Sequence, residues 1–344
     1  MNPDGGGALR RLLTTLVRSA ATLTATLAAL LCVTFALSSL SPADPALKLV
    51  GEHGSVASYE QARHLLGLDL PWPQRLGRYA EGAFHGDLGI SLSTGAPVAR
   101  DLRRVFPATF ELATLAMMGS AVLGLGLALI SAVHPRGVTD VLVRVISLAG
   151  NSLPIFWLGL LALYLFYARL GWLGGPGRLD DAYEYTIDMP SGFVLLDAWR
   201  SGVQGAFPNA VSHLILPVAL LVAYAVGSIA RPTRAALLAE AGKDYVLLAR
   251  ATGASVWSVV LRQMLPATAS LVLTLLALTY ANLLQGAVLV ETVFARPGIG
   301  RYLTTALFAG DTPAILGSTL VIGICFILIN GVTDSLAHLL DPRT

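Results

Sequence analysis

The chain has 344 residues, of which 55% are hydrophobic and 13% charged, about half the charged share of an ordinary globular protein. That balance excludes the pair of soluble domains that length alone would suggest and points to an all-α polytopic membrane protein. A net charge of +2, with the basic residues not gathered into a patch interleaved with aromatics, excludes a nucleic-acid surface.

A helix needs roughly 20 apolar residues to cross the hydrocarbon. Uncharged runs of that order predict six spans, at residues 17–40, 107–133, 144–168, 213–230, 268–290 and 315–338, the fourth being the shortest. The first run, Leu12 to Leu40, follows a basic start but is long for a signal peptide and lacks a small-x-small cleavage site, so it reads as a retained helix. Cys32 and Cys325 lie inside apolar stretches, where a thiol behaves as a small hydrophobe. The division expected is 1–40 (N-terminal segment and first helix), 41–106 (first outer segment) and 107–344 (core). Within the core, 169–212 forms an outer loop and 240–266 an inner one. The first outer segment carries the pattern of a short amphipathic helix near Tyr59–Leu66, then a Pro71-Trp72-Pro73 corner. The second is rich in Gly, Asp and aromatics and reads as an irregular cap. Gly119, Gly124 and Gly126 form a small-residue row that lets helices approach closely.

Basic residues set the orientation. Arg10, Arg11, Arg18, Arg136 and Arg144, with Arg231, Arg234, Lys243 and Arg250, mark one side as cytoplasmic, whereas Asp180, Asp181, Glu184, Asp188 and Asp197 mark the other as outside. An even number of spans then puts both termini in the cytoplasm. The long segment 41–106 holds basic residues of its own, but long loops translocate largely regardless of charge.

The most informative stretch is Glu240 to Pro266, between two spans. Asp244 is expected to cap a helix through Ala249, and Gly253 to supply the turn after it, so that two short helices form a protruding knob. An amphipathic connector resting on headgroups is the bland alternative. The pattern Asp244-Tyr245-Val-x-x-Ala249-Arg250-Ala251-x-Gly253, followed by Trp257 and then Leu265-Pro266, resembles the coupling loop of ABC-importer permeases of the dipeptide, oligopeptide, nickel and glutathione group. Lys243, Thr252 and the Pro266-Ala267 pair depart from that group's usual residues. Gly67-Leu-Asp-Leu-Pro71 with His85-Gly-Asp-Leu-Gly-Ile-Ser91, Leu153-Pro-Ile-Phe-Trp157, Glu291-Thr-Val-Phe-Ala-Arg-Pro-Gly-Ile-Gly-Arg301 and Asp341-Pro-Arg343 continue the resemblance in order along the chain.

The resemblance implies a type I ABC-importer transmembrane domain in the bacterial inner membrane, carrying short peptides, with nickel, a metal chelate or glutathione as alternative cargo. It implies a second, similar permease, two ATPase subunits and a solute-binding protein as partners, besides membrane lipid. The coupling residues would be Asp244, Tyr245, Ala249, Arg250, Ala251, Gly253, Trp257, Leu265 and Pro266. Asp87, Arg296 and Arg301 are the residues expected to meet the binding protein. Neither Lys48 nor Lys243 sits in a phosphate-cradling Gly-x-x-x-x-Gly-Lys frame. No cofactor is therefore expected on this chain, with ATP and Mg on the partner ATPases.

Asn282 and Gln285 share a helical face of the fifth span, and Asn330 and Asp334 share one on the sixth; these are candidates for a translocation path or for interhelical hydrogen bonding. Glu111 and Asp334 lie near span ends, where a carboxylate can reach interfacial water. His213, at the start of the fourth span, could ligate a metal but reads more readily as structural, and His53, His64 and His85 lack ligand spacing. An intramembrane enzyme would need a reactive centre in a span, and no His-Glu-x-x-His is present. A proton-coupled secondary transporter is the stronger rival, against which stands the lack of inverted repeats or mid-membrane charge pairs.

Overall fold

The structure, a computed structural model, describes residues 24–36, 45–51, 55–135, 137, 141 and 153–340, the side chains of 49 and 333–340 excepted. Arg10, Arg11, Arg18, Arg136 and Arg144, on which the orientation rests, lie outside the described residues, as does His53. Among the described residues there is no strand, only an isolated bridge between Ile90 and Pro97. In chain order the helices are α1 (Thr24–Ala36), α2 (Pro45–Val50), α3 (Val56–Leu65), α4 (Trp72–Phe84), α5 (Val98–Val133), α6 (Ile155–Arg169) and α7 (Asp181–Glu184). They continue as α8 (Val194–Arg200), α9 (Ala206–Ala241), α10 (Asp244–Ala251), α11 (Val256–Val259), α12 (Ala269–Val293), α13 (Ile299–Ala309) and α14 (Thr312–Leu340). After α11 the chain keeps winding, through a π-helical stretch Val260–Met264, to Ala267.

Within α5, α9, α12 and α14 lie stretches long and apolar enough to cross a membrane; α1 and α6 are shorter apolar helices. The run at 213–230, the weakest prediction, belongs to α9, which has 36 residues. Pro217, Pro232, Arg231 and Arg234 look like breakers in sequence, yet the helix runs through both prolines. Proline is tolerated inside membrane helices where neighbours satisfy the freed carbonyls, and the arginines lie in the last three turns, where a helix this long has room to leave the bilayer. The Pro71-Trp72-Pro73 corner is in fact the start of α4, with Pro71 as its N-cap and Pro73 in the first turn. Proline is favoured there because the first-turn N–H groups have no helical partner anyway.

The chain folds as two compact units, one made of the described residues up to Arg104 with Tyr302–Gly331, the other of Val105–Arg301 and the stretch from Val332. In the first, Gly323 of α14 meets α1 so closely that a Cβ would sit 2.5 Å from Leu30 Cδ2. Buried Asp311 precedes α14 and accepts the Ala314 N–H at 3.3 Å, while its other carboxylate oxygen takes the Ser91 hydroxyl at 2.6 Å and the Ser93 N–H at 2.9 Å. One carboxylate thus caps a span and fixes the turn between α4 and α5.

In the second unit, α5, α6, α9 and α12 surround a core that includes Leu112, Leu214, Leu221, Leu283 and Phe294. Of the small-residue row, Gly119 and Gly124 face α9, where a Cβ would lie 2.8 Å from Val222 Cγ2 and 2.9 Å from Ile229 Cβ, whereas Gly126 faces open space. The 169–212 segment joins this core through Leu179, Ile187, Val194 and Ala198.

Candidate functional site: an exposed knob and a buried polar cluster

α10 begins at Asp244, with Lys243 as its N-cap and no side-chain cap, so Asp244 does not cap the helix as expected from the sequence. It contributes a negative charge to the first turn, where the helix dipole favours one. The helix ends at Ala251 with Thr252 as its C-cap, and the next residue is Gly253, whose φ of +89° needs glycine. The Gly253 N–H donates to the Arg250 carbonyl at 3.1 Å and the Ala254 N–H to the Ala249 carbonyl at 3.1 Å, a double bond pattern that closes a helix on a left-handed residue. Ser255 then caps α11 by accepting the Ser258 N–H at 3.3 Å. These short-range signals build the knob.

Its faces are sharply divided. Val246, Val259, Val260 and Met264 point inward and pack with Ala128 and Ala132 of α5 and Leu237 of α9, with Ala249 and Leu265 half-buried against them. Burying each larger apolar side chain contributes roughly 1.5–3 kcal/mol, enough to seat the knob firmly on the span ends. Pointing outward are Tyr245, Leu247, Leu248 (66% exposed), Val256 and Trp257 (43% exposed), with Arg250, Ala251 and Pro266 exposed beside them. Glu240 at the end of α9 accepts from both Lys243 Nζ (2.6 Å) and the Tyr245 hydroxyl (2.5 Å), which fixes the α9–α10 junction. Partial burial, and then the bond to Glu240, push the Tyr245 phenol up to about 12. It therefore remains a neutral donor.

At the other end of α9 and α12 lies a cluster that sequence reading largely missed. Glu111 is buried, not directed to interfacial water, and accepts the Val194 and Leu195 N–H groups at 3.2 and 3.0 Å, capping α8. Asp197 accepts the Ser191 hydroxyl at 2.7 Å and the Gly192 N–H at 3.0 Å; Arg178 donates to the Gly192 carbonyl. Glu291 is fully buried, taking the Thr109 hydroxyl at 2.6 Å and the Arg301 N–H at 3.2 Å. Thr109 in turn accepts the Ile299 N–H at 2.8 Å. A Cβ on Gly298 would fall 2.2 Å from the Glu291 carboxyl carbon, and one on Gly300 2.4 Å from Val288 Cα, so both glycines are required by close approach. The glycine spacing of the 291–301 motif is the imprint of this carboxylate.

Arg296 is fully buried, so it has no surface to offer the binding protein, and the docking expectation fails at this residue. Its Nη2 lies 3.9 Å from Glu111 Oε2, and none of its guanidinium nitrogens has a hydrogen-bond partner among the described residues. Burial, then the neighbouring Arg178, lower its pKa to about 10. Asp87 and Arg301 are exposed. Asp87 accepts the Gly89 N–H at 2.9 Å, and Arg301 donates to the Ala295 carbonyl at 2.5 Å. His213 is buried with Nδ1 3.0 Å from the Asn209 carbonyl oxygen and Nε2 3.3 Å from Asp180, a structural knot. Among the described residues no group of three or more His, Cys, Asp or Glu is placed to hold a metal. Asn282 and Gln285 are exposed on the face of α12 that the core leaves uncovered, with Leu278 and Leu289 in the same stripe. Asn330 is half-buried, and the side chain of Asp334 lies outside the described residues.

Residues 124–344 match the family described as the binding-protein-dependent transport system inner membrane component, and residues 12–113 match that family's N-terminal region. The chain belongs to that family of inner-membrane transport components. It is 44% identical over 90% of its length, and 91% of the relative's, to the probable D,D-dipeptide transport system permease protein DdpB of Escherichia coli K12. It is 41% identical to the dipeptide permease DppB of Haemophilus influenzae, covering 92% of this chain and 95% of that one. Identity to the di/tripeptide permease DppB of Pseudomonas aeruginosa is also 41%, covering 90% and 92%. Among solved structures, a chain of the inward-facing methionine ABC transporter MetNI is similar with a TM-score of 0.49 and 17% identity, covering 68% of this chain and 93% of that one. The permease is a multi-pass inner-membrane protein.

Proposed function

We propose that this permease passes short peptides, dipeptides foremost, into the cell, and that a separate ATPase drives it by gripping the Asp244–Trp257 knob. The observation carrying the reading is the knob's division into a buried anchor and a bare apolar crown (Tyr245, Leu247, Leu248, Trp257). A soluble crown of this kind, on a loop held firmly at both roots, is suited to insertion in a cleft of another protein. The knob is rooted in the C-terminal end of α9 and leads into α12, so a pull on it acts on two long helices. The cargo follows the dipeptide names of the relatives.

The assembly in this proposal contains a second permease, two ATPases that carry ATP and Mg, and a binding protein docking near Asp87 and Arg301. Both termini lie on the knob's side, the cytoplasm, and this chain itself hydrolyses nothing. Asn282 and Gln285 face the passage or the second permease, with Asn330 a weaker candidate. Replacing exposed Leu248 by Asp puts a charge in the crown without touching the anchor. The expected result is a normally inserted protein that no longer co-purifies with the ATPase and no longer takes up dipeptide. Unchanged uptake by L248D would overturn the coupling role.

A further inference from the structure

The first compact unit contains a cavity of about 420 Å³, of whose lining the transport reading uses Asp87 alone. Its depth in the membrane follows from its walls. Phe35 near the end of α1 lines one side, Thr312 and Leu316 at the start of α14 another. α1 and α14 touch at Gly323, close to the middle of the Thr312–Val332 span, and eleven residues of helix carry the chain about 16 Å from there to Thr312, half the ~30 Å hydrocarbon thickness. The cavity therefore sits at headgroup level. Trp72, edge-on to Phe35 at 5.7 Å, is the aromatic residue expected at that boundary.

The polar lining is only partly satisfied. Arg75 lies over the Phe35 ring at 5.4 Å, and neither Arg75 nor Arg78 forms an ion pair among the described residues. The Tyr79 hydroxyl is buried and without a hydrogen-bond partner among them. Asp87 also lines the cavity, but one of its oxygens is held by the Gly89 N–H, and the two guanidiniums leave the lining with one excess positive charge. Leu65, Leu66, Leu68, Leu70 and Leu92 supply an apolar stretch of the remaining wall. Paired donors beside apolar walls at headgroup depth match one chemistry: a phosphodiester attached to a hydrocarbon chain.

We propose that this cavity binds an anionic phospholipid of the surrounding bilayer, its phosphate held by Arg75, Arg78 and the Tyr79 hydroxyl and its apolar part against the leucine wall. The site is independent of the ATPase reading and needs only that the protein sit in a membrane. The test uses the full chain in phosphatidylcholine nanodiscs doped with phosphatidylglycerol, with bound lipid read by native mass spectrometry after release. Wild type should retain phosphatidylglycerol over phosphatidylcholine, and Arg78→Gln should weaken that retention about tenfold. Tyr79→Phe, which keeps the ring, should weaken it several-fold at unchanged melting temperature, and so separates lost binding from lost folding. Equal retention of the two lipids, or retention unaltered in both variants, overturns the proposal. So does displacement by glycerol 3-phosphate as readily as by short-chain phosphatidylglycerol, which would assign the cavity to a free anion.

Discussion

The knob and the buried polar cluster stand at opposite ends of the same two helices, α9 and α12, and they use polar and apolar residues in opposite senses. At the knob, apolar side chains face water, while the charges of Glu240 and Lys243 satisfy one another locally. In the cluster, Glu111, Asp197, Glu291 and Arg296 are withdrawn from water, and carboxylates take backbone N–H groups as partners. Burying charge is costly and is sustained here for the carboxylates, each held by backbone or hydroxyl donors, while the Arg296 guanidinium has only Glu111 at 3.9 Å among the described residues; the held carboxylates form a rigid clasp among α5, α8, α12 and the 295–301 turn. Exposed apolar area is sustained where a partner covers it. One end therefore holds the permease together, and the other, in the proposed function, is the end that is held.

Substitutions should separate the two ends by what they change. The largest effect on folding belongs to Gly298→Ala, which drives a methyl into the Glu291 carboxylate; a loss of about 3 kcal/mol and a sharply reduced yield of inserted protein are expected. A wild-type melting curve for this variant would show that the turn gives way without cost, and the clasp would lose its rigidity. Glu111→Ala comes next, at about 2 kcal/mol, because it strips the Val194 and Leu195 N–H groups of their acceptor and leaves Arg296 without the carboxylate beside it. Glu111→Gln, which keeps an acceptor oxygen, should lose less; equal losses would assign the effect to charge alone.

A smaller change runs the other way. Ala295 is the non-glycine residue with positive φ among the described residues, +51°, and it ends α12 with the Arg296 N–H bonded to the Glu291 carbonyl at 2.9 Å. Ala295→Gly should raise stability by about 1 kcal/mol, read as a higher melting temperature of the detergent-solubilised protein. No gain would mean that the strain is relieved elsewhere in the turn.

The two ends also differed in how far sequence revealed them. The knob was legible because it is built from neighbours in the chain: Gly253 for the left-handed turn, Ser255 for the next cap, apolar residues at helical spacing. The cluster joins residues such as Thr109 to Glu291 and Glu111 to Leu195, far apart in sequence, so Glu111 read as interfacial and Arg296 as a surface contact. A local signal was present nonetheless. A carboxylate closing an apolar run, with glycines seven and nine residues on, marks a buried acid needing close backbone donors. α4 was missed because its opening prolines read as a break, though proline also starts helices. The length of α9 was missed because a membrane criterion stops at the charges that mark its exit from the bilayer.

The smallest effect expected on the fold is at Trp257, and it makes the contrast sharpest. The indole is 43% exposed and lies outside the anchor formed by Val246, Val259, Val260 and Met264, so Trp257→Ala should shift stability by no more than about 0.5 kcal/mol. A Trp at the centre of an interface, by contrast, commonly carries about 2 kcal/mol of binding, roughly a thirtyfold loss of affinity for the ATPase. Val246→Ala inverts the pattern, loosening the anchor while leaving the crown's chemistry intact. If Trp257→Ala melted early and still bound the ATPase with full affinity, the crown would be part of the core, and the division between a held end and a holding end would be lost.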